Sequence, residues 1–363
     1  MMGGSFMCGM RALVAGLLCG VVGGACHGSL DPDAAASLAW TWQACGTLSS
    51  RSGDPFVVVS EHGFFSLSMS PEGTLLASNS SGGVLLWRVA SRFEDSVATT
   101  ALAFGGPEHP DVQLSPDGRW LAWLGDGSRL MRTTDYSTVS LPTAPSSLSV
   151  CLWPQLRFSP DGRWLAGTNW GPSIAVWSTD DLVAGSALVP RFELPAAGCD
   201  GGGGGGSVRV AFSADGAYLA TSTLAFYRTS DWQQIAPFPT GTSPAGFGPR
   251  DDVKWSPDGR ELVVSKNCRQ RADAAFSAAM ECEASAYAGD GRLVRRLPEL
   301  SAPFPSYSPE GHWMVAGGTL LHRPSGSTRV FDPVADVALF APNGDIIAGD
   351  PDLTMTRYCR STP

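Results

Sequence analysis

A four-residue turn motif recurs seven times along the chain and constrains the fold more than any other feature. Each copy reads Ser-Pro-Asp-Gly or a close variant and lies between two short apolar segments. The copies begin at Ser70, Ser115, Ser159, Ser213, Ser256, Ser308 and Ala341. Pro presets φ at the second position and Gly accepts a positive φ at the fourth. Each copy is therefore predicted to form a tight turn that joins two antiparallel strands.

The segments that follow these turns are apolar at nearly every position. Residues 119–124, for example, read Arg-Trp-Leu-Ala-Trp-Leu. A strand with one face in water would alternate apolar and polar residues, so these strands must be covered on both faces. The radial blades of a β-propeller provide that cover, because each sheet lies between two neighbours. Consecutive copies start 33 to 54 residues apart, which brackets the roughly 40 to 45 residues of a four-stranded blade.

A Gly-rich turn and a third apolar strand follow in several copies, with Trp87 and Trp177 ending two of these strands. The order of turn motif, apolar strand, Gly-rich turn and strand ending in Trp resembles WD40 repeats. It is more similar to the looser WD40-like repeats of bacterial propellers, because the Trp-Asp dipeptide is missing. The resemblance implies an all-β fold, a seven-bladed β-propeller of four-stranded antiparallel blades that covers about residues 55 to 359.

The two ends of the chain are expected to complete one blade together. After the seventh turn the chain supplies three strands for the last blade, and the fourth is missing. One unclaimed apolar segment, residues 55–60, precedes the first turn. We predict that this N-terminal strand joins the last blade and closes the ring, which leaves no unpaired edge there. The propeller domain is accordingly placed at residues 55–363.

The N-terminus carries a predicted targeting segment. The apolar run 12–25 follows Arg11 and is shorter than the roughly 20 residues of a membrane-spanning helix, so residues 1–25 are predicted to be a signal peptide. Residues 22–26 resemble a bacterial lipobox, which implies lipidation at Cys26 and a tether at residues 26–54. The resemblance implies an exported, membrane-anchored lipoprotein facing the periplasm or the cell surface, attached to the membrane through the lipid anchor only. Plain secretion with an incidental Cys is the alternative.

Six cysteines remain after the signal peptide and Cys26 are set aside. They are Cys45, Cys151, Cys199, Cys268, Cys282 and Cys359. An even number in an exported chain favours disulfides, although buried free thiols are the alternative. Placement along the repeats favours three pairs, which are Cys45 with Cys359, Cys151 with Cys199, and Cys268 with Cys282. No two of these cysteines have the C-x-x-C spacing of zinc sites, so no metal site is predicted.

Motifs for catalysis and for nucleic-acid binding are missing from the sequence. It contains no nucleophile elbow, no H-E-x-x-H and no phosphate-binding loop, so we predict no catalytic residue and no cofactor. The formal net charge is -9, and Lys254 and Lys266 are the only lysines. A chain of this kind offers no broad cationic surface for a phosphate backbone, so nucleic acid is not expected as a partner.

Two functional classes fit this sequence. We favour a non-catalytic scaffold that binds a protein, peptide or glycan. The alternative is a propeller enzyme, such as a lyase, hydrolase or quinone-dependent dehydrogenase, with a site at the central channel. Four of the strands expected to line the channel contain only Arg157 and Lys254 as charged residues, which favours the scaffold.

One insertion carries the predicted recognition residues. The loop between Cys268 and Cys282 contains Arg269, Gln270 and Arg271, and binding residues often lie on loops of a rigid scaffold. We predict that these three residues contact the partner. A solvated loop without a partner is the alternative.

Overall fold

The computed structural model describes most of the repeat region and leaves gaps between its segments. It describes residues 39–49, 64–80, 83–103, 112–123, 129–141, 155–168, 173–182, 188–195, 208–237, 252–270, 280–289, 291–298, 300, 305–332, 335, 337–350 and 354–361. These residues contain 28 strands and two 3-10 helices at Phe93–Asp95 and Thr179–Asp181. Neither helix in this part of the chain is long and apolar enough to span a membrane.

The first four blades follow one another along the chain, each with its strands in sequence order. Blade one contains β2 (Phe64–Met69), β3 (Leu75–Ser80), β4 (Gly83–Arg88) and β5 (Val97–Ala103). Blade two contains β6 (Val112–Leu114), β7 (Trp120–Trp123), β8 (Arg129–Arg132) and β9 (Thr138–Ser140). Blade three contains β10 (Leu156–Phe158), β11 (Trp164–Gly167), β12 (Ser173–Ser178) and β13 (Phe192–Pro195). Blade four contains β14 (Val210–Phe212), β15 (Tyr218–Thr221), β16 (Ala225–Arg228) and β17 (Gln234–Pro237).

The remaining three blades include the one that combines both ends of the chain. Blade five contains β18 (Asp252–Trp255), β19 (Glu261–Gln270), β20 (Met280–Ala288) and β21 (Leu293–Arg296). Blade six contains β22 (Ser306–Tyr307), β23 (Trp313–Ala316), β24 (Thr319–His322) and β25 (Thr328–Val330). Blade seven contains β26 (Val337–Phe340), β27 (Ile346–Gly349), β28 (Thr354–Ser361) and, outermost, β1 (Thr41–Ser49). The predicted all-β, seven-bladed propeller is confirmed.

The seven blades form a ring in which the first strand of each blade is innermost. These inner strands, from β2 to β26, lie beside one another around a central channel. Between the blades lie seven hydrophobic clusters, one for each junction. The apolar second strands are therefore covered on both faces, as their sequences predict.

The seven turns form as predicted. In each turn the Gly N–H donates to the carbonyl of the first residue at 2.8 to 2.9 Å, with Gly φ between 66° and 84°. Where the third residue is Asp, the Ser hydroxyl donates to its carboxylate and also accepts the N–H five positions later, at 2.9 Å. We call the rim that carries the seven turns the turn rim and the opposite one the hairpin rim.

An N-terminal strand completes blade seven, but it is not the predicted segment 55–60. Strand β1 pairs antiparallel with β28, from Thr41 opposite Ser361 to Ser49 opposite Thr354. It lies inside the segment 26–54 that the sequence analysis placed in a tether, while residues 55–60 lie outside the described residues. An outer strand leaves most of its side chains exposed, and among the side chains of residues 41–48 in β1 only that of Leu48 is buried. Its hydrophobic pattern was therefore too weak to identify it.

Candidate functional site

Two rings of side chains face the central channel. The turn-side ring contains the residue two positions before each turn, and its members are Ser68, Gln113, Arg157, Ala211, Lys254, Ser306 and Leu339. Described members of the hairpin-side ring, four positions before each turn, are Ser66, Gln155, Arg209, Asp252 and Val337. Six of the seven inner strands line a cavity of about 120 Å³ between them.

Polar members of the turn-side ring join neighbouring blades. Ser68 Oγ accepts the backbone N–H of Leu114 at 2.9 Å, and Gln113 Oε1 accepts that of Phe158 at 2.7 Å. Ser306 Oγ accepts the N–H of Phe340 at 3.1 Å in the same way. Alternate N–H groups of an inner strand point away from their own sheet, so each needs an acceptor from elsewhere. These inter-blade hydrogen bonds supply one.

The hairpin-side ring repeats this arrangement and adds a carboxylate. Gln155 Oε1 accepts the N–H of Val210 at 2.7 Å, and Gln155 Nε2 donates to Asp252 Oδ1 at 3.3 Å. Asp252 is buried, and its Oδ1 lies 3.9 Å from Nη2 of Arg157. Both hydrogen bonds of Gln155 and the carboxylate of Asp252 therefore serve contacts between the blades.

The turn-side ring lacks acceptors over three consecutive blades. Arg157, Ala211 and Lys254 occupy this position in blades three, four and five. Arg157 Nη1 donates to the carbonyl of Leu156 in its own strand at 2.9 Å. This sector of the channel therefore presents two cations and a small residue, where blades one, two and six present oxygen acceptors.

A second concave surface lies on the turn rim between blades seven and one. This seam groove has a volume of about 660 Å³, and its lining includes Met69, Val89, Ile347, Glu72 and Arg357. Apolar side chains with two opposite charges fit the usual character of small-molecule pockets, whose volumes are about 300 to 1,000 Å³. The groove could not be predicted from the sequence, because one wall lies within residues 69–91 and the other within residues 341–357, and the two walls meet only when the ring closes.

Arg357 is fixed across the seam groove. Its Nε and Nη2 both donate to Oδ2 of Asp345, at 2.9 and 2.7 Å, and Asp345 is buried. Nη1 of the same side chain donates to the carbonyl of Ser91 at 3.5 Å. Arg357 therefore connects blade seven to the third-to-fourth strand connection of blade one.

The predicted binding insertion extends the middle strands of blade five. Asp252, the first residue of β18, pairs with Ser265, and β19 continues for residues 266–270 beyond that partner. At about 3.3 Å per residue this extension is about 16 Å long. Arg269 and Gln270 belong to it, with Arg269 opposite Glu281 and Gln270 opposite Met280. Their side chains and Arg271 lie outside the described residues.

One of the three predicted disulfides is confirmed, and one cysteine of another predicted pair is disulfide-bonded. Cys45 and Cys359 form a disulfide between β1 and β28, with Cα atoms 5.7 Å apart. Cys282 is also disulfide-bonded. Asn267 and Cys268 lie in the bulge between Lys266, opposite Glu283, and Arg269, opposite Glu281. Cys268 is therefore close along the strand to the position of Cys282, and its pairing with Cys282 stays a prediction.

The remaining predicted sites lie outside the described residues. They are Cys26, Cys151 and Cys199. Where the structure describes side chains, no group of three or more His, Cys, Asp or Glu is arranged to hold a metal ion.

The chain enters the propeller at the turn rim. Trp42 Nε1 donates to the carbonyl of Gly344, a turn residue, at 2.9 Å. The Trp42 ring also lies edge-on to Trp313, with centroids 5.3 Å apart. The Trp40 ring lies 4.3 Å from the guanidinium of Arg360. These contacts attach the N-terminal segment to the turn rim at the junction of blades six and seven.

Comparison with known proteins adds no family to these observations. The chain matches no protein-family model and no curated protein sequence.

Proposed function

We propose that this protein is an exported, lipid-anchored scaffold that binds a protein, peptide or glycan partner through the blade-five hairpin. In this proposal Cys26 carries the lipid, and residues 266–283 form the binding element, with Arg269, Gln270 and Arg271 as its recognition residues. The observation that carries the proposal is the position of this hairpin on the rim opposite to the entry of the N-terminal segment.

The geometry of the tether supports a defined orientation on the membrane. From Cys26 to residue 38 there are 13 residues, which reach at most about 45 Å when fully extended. They lead to Trp40, which contacts Arg360 at the turn rim. A lipid at Cys26 would therefore hold the turn rim towards the membrane, and the hairpin would project away from it.

Two further features favour a rigid exported scaffold. The disulfides at Cys45–Cys359 and at Cys282 suit an oxidising compartment, since disulfides are rare in reducing ones. A disulfide near the base of a long hairpin would also limit its motion, which reduces the conformational entropy lost on binding. The channel, where an enzyme of this fold class would be sought, uses Gln113, Gln155 and Asp252 for contacts between blades.

A loop exchange tests the binding element. Residues 269–281, which include all three recognition residues and lie between Cys268 and Cys282, would be replaced by a short Gly-Ser turn, and the variant would be used as bait on detergent-solubilised membranes. The control variant shortens the six-residue Gly201–Gly206 run to two residues. We expect the hairpin variant to lose a partner that both wild type and the control retain, with an unchanged melting temperature. Retention of every partner by the hairpin variant would contradict the proposal.

A separate variant tests the anchor. Cys26→Ser should move the protein from the membrane fraction to the released fraction, while a Cys19→Ser control should leave it in the membrane. An unchanged membrane fraction for Cys26→Ser would rule out the lipid anchor and leave the binding element to be judged by the loop exchange alone.

A further inference from the structure

The turn rim carries exposed apolar side chains. The structure describes nine large hydrophobic residues that are exposed. Six of them lie at this rim, either directly after a turn or in or beside the connection between a third and a fourth strand. These six are Val97, Tyr136, Val189, Phe192, Tyr218 and Leu293. Single exposed apolar residues are common on protein surfaces, so a binding surface requires that some of them belong to a larger apolar cluster.

One of the six, Phe192, belongs to a cluster of three aromatic rings between blades three and four. Trp164 is the first residue of β11, Phe192 is the first residue of β13, and Trp232 lies in the connection between β16 and β17. Each ring contacts the other two, with centroids 5.3 to 5.8 Å apart. Trp232 is buried and Trp164 partly buried, whereas Phe192 is 38% exposed. The two tryptophans therefore hold a partly exposed ring in place at the turn rim.

Val189 adds a second exposed apolar side chain next to this cluster in the sequence. It lies in the connection between β12 and β13 and is 72% exposed. Charged residues near the cluster form ion pairs, since Arg191 Nε lies 2.8 Å from Asp181 Oδ2 and Arg228 Nη1 lies 2.8 Å from Asp231 Oδ2. Aromatic and apolar side chains beside neutralised charges suit the boundary between water and the apolar interior of a bilayer.

The position of the tether indicates which surface the turn rim meets. The described chain begins at residue 39, and Trp40 contacts Arg360 at the turn rim. A lipid at Cys26 would keep this rim within about 45 Å of the membrane, which is the greatest reach of the residues between them. The aromatic cluster lies on the same rim, so the membrane is the apolar phase within its reach.

We propose that Val189 and Phe192 dock on the lipid surface and bring the turn rim of blades three and four into the interfacial region of the bilayer. This inference rests on the lipid anchor of the proposed function. It adds a second membrane contact, three blades away from the place where the chain enters the propeller. Two contacts on one rim would fix the direction in which the blade-five hairpin projects, which attachment at a single point does not.

The test supplies the tether artificially and therefore does not depend on lipidation of Cys26. Residues 27–363 would carry an N-terminal hexahistidine tag and would be held on phosphatidylcholine vesicles by a nickel-chelating lipid. Hydrogen exchange with mass spectrometry compares residues 188–193 at the turn rim with residues 328–332 at the hairpin rim. The two segments are matched, because each belongs to an outermost strand or its connection and contains a strongly exposed valine, Val189 at 72% and Val330 at 69%.

We expect exchange in residues 188–193 to be at least about threefold slower on the vesicles than in solution, because docking removes water from this segment. Exchange in residues 328–332 should be unchanged. No slowing in residues 188–193, or equal slowing in both segments, would overturn the proposal. A partner other than lipid at this rim would give the first of these results.

Two variants separate docking from simple closeness to the vesicle. Val189→Ser/Phe192→Ser should lose the slowing in residues 188–193, and the control Val330→Ser should keep it. Slowing that persists in the double variant would overturn the proposal. If the double variant fails to fold, Val189→Ser alone provides the comparison, because this side chain is largely in water.

The outcome is independent of the anchor experiment. An unchanged membrane fraction for Cys26→Ser would reject the natural anchor and leave the affinity of the rim for lipid as measured. Absence of slowing on the vesicles would reject docking and leave the anchor untouched.

Discussion

Gln113 on blade two and Phe158 on blade three are joined across the blade boundary, where Oε1 of Gln113 accepts the backbone N–H of Phe158 at 2.7 Å. Loss of this acceptor leaves a polar group of the inner wall unpaired. Gln113→Ala is therefore expected to lower the free energy of unfolding by about 1 to 3 kcal/mol. Urea denaturation followed by circular dichroism measures the change.

Two further variants separate this effect from simple loss of side-chain packing. Gln113→Ser should recover part of the loss, because Ser68 and Ser306 accept the equivalent N–H in blades one and six. Gln233→Ala, at an exposed position, should change stability by less than about 0.5 kcal/mol. The interpretation fails if Gln113→Ala and Gln233→Ala have the same stability.

The closing disulfide is expected to contribute strongly to stability. Cys45 and Cys359 are separated by 314 residues, and long loops lose the most chain entropy when they are cross-linked. The free energy of unfolding of the double variant Cys45→Ser/Cys359→Ser should be about 2 to 5 kcal/mol lower than that of wild type. Unfolding in guanidinium chloride without reductant measures the difference. It should still fold, because β1 keeps its backbone pairing with β28 and the hydrogen bond from Trp42 to Gly344. Identical unfolding curves for wild type and the variant would exclude this contribution.

A strained turn in blade two offers a stabilising substitution. Tyr136 has φ 60° in the turn between β8 and β9, and Gly326 has φ 69° at the same place in blade six. Both donate the same hydrogen bond, to Arg132 and His322 respectively. Gly adopts this conformation without the steric penalty that other residues have.

We therefore expect Tyr136→Gly to be more stable than Tyr136→Ala by about 1 kcal/mol in thermal or urea unfolding. Both variants remove the same partly exposed ring, so the comparison isolates the backbone. A Tyr136→Ala variant as stable as Tyr136→Gly would show that the turn carries no such strain.

The turn carboxylates predict a loss of stability in acid. The Ser213 hydroxyl and then the Ala217 N–H donate to Asp215, and both lower the pKa of its carboxyl group below the ordinary value. Because the folded protein binds this proton less readily than the unfolded chain, the stabilisation is complete above the unfolded value of about 3.9 and is lost as pH falls through the folded value.

Asp215→Asn removes the titrating carboxyl group. The turn should still form, because the seventh turn has Asn343 at the same position and its Oδ1 accepts the N–H of Asp345. The difference in unfolding free energy between wild type and Asp215→Asn should shrink from pH 6 to pH 3. Urea unfolding at several pH values measures it. A difference that stays constant with pH would mean that Asp215 has the same pKa in both states.

The blades were predictable because their determinants are local. Each turn needs only Ser, Pro and Gly at fixed places, as at Ser115 and Gly118, and the apolar strand after it is continuous in sequence. Strand β1 was missed because its side chains are mostly exposed, whereas residues 55–60 had a stronger apolar pattern. The pairing of Cys45 with Cys359 was the better guide to the strand that closes the ring.

The inner-wall contacts could not be read from single strands, because each one joins residues of different blades. A useful sign was nevertheless present. Ser68, Gln113 and Ser306 are polar residues at the same distance before their turns, which an aligned view of the repeats would have revealed. The seam groove and the bridge from Arg357 to Ser91 had no comparable sign, since they depend on blades seven and one meeting in space.

The position of β1 as the outermost strand of blade seven has a consequence for how the protein is made. During synthesis β1 emerges before the other 27 described strands, and its partner β28 emerges after all six intervening blades. For most of that time the first strand has no sheet to join, and contacts between distant parts of a chain form slowly. A chain interrupted before β28 could still place β26 beside β2, but β1 would have no strand to pair with, so the N-terminal segment joins the propeller only when the last strand has been made.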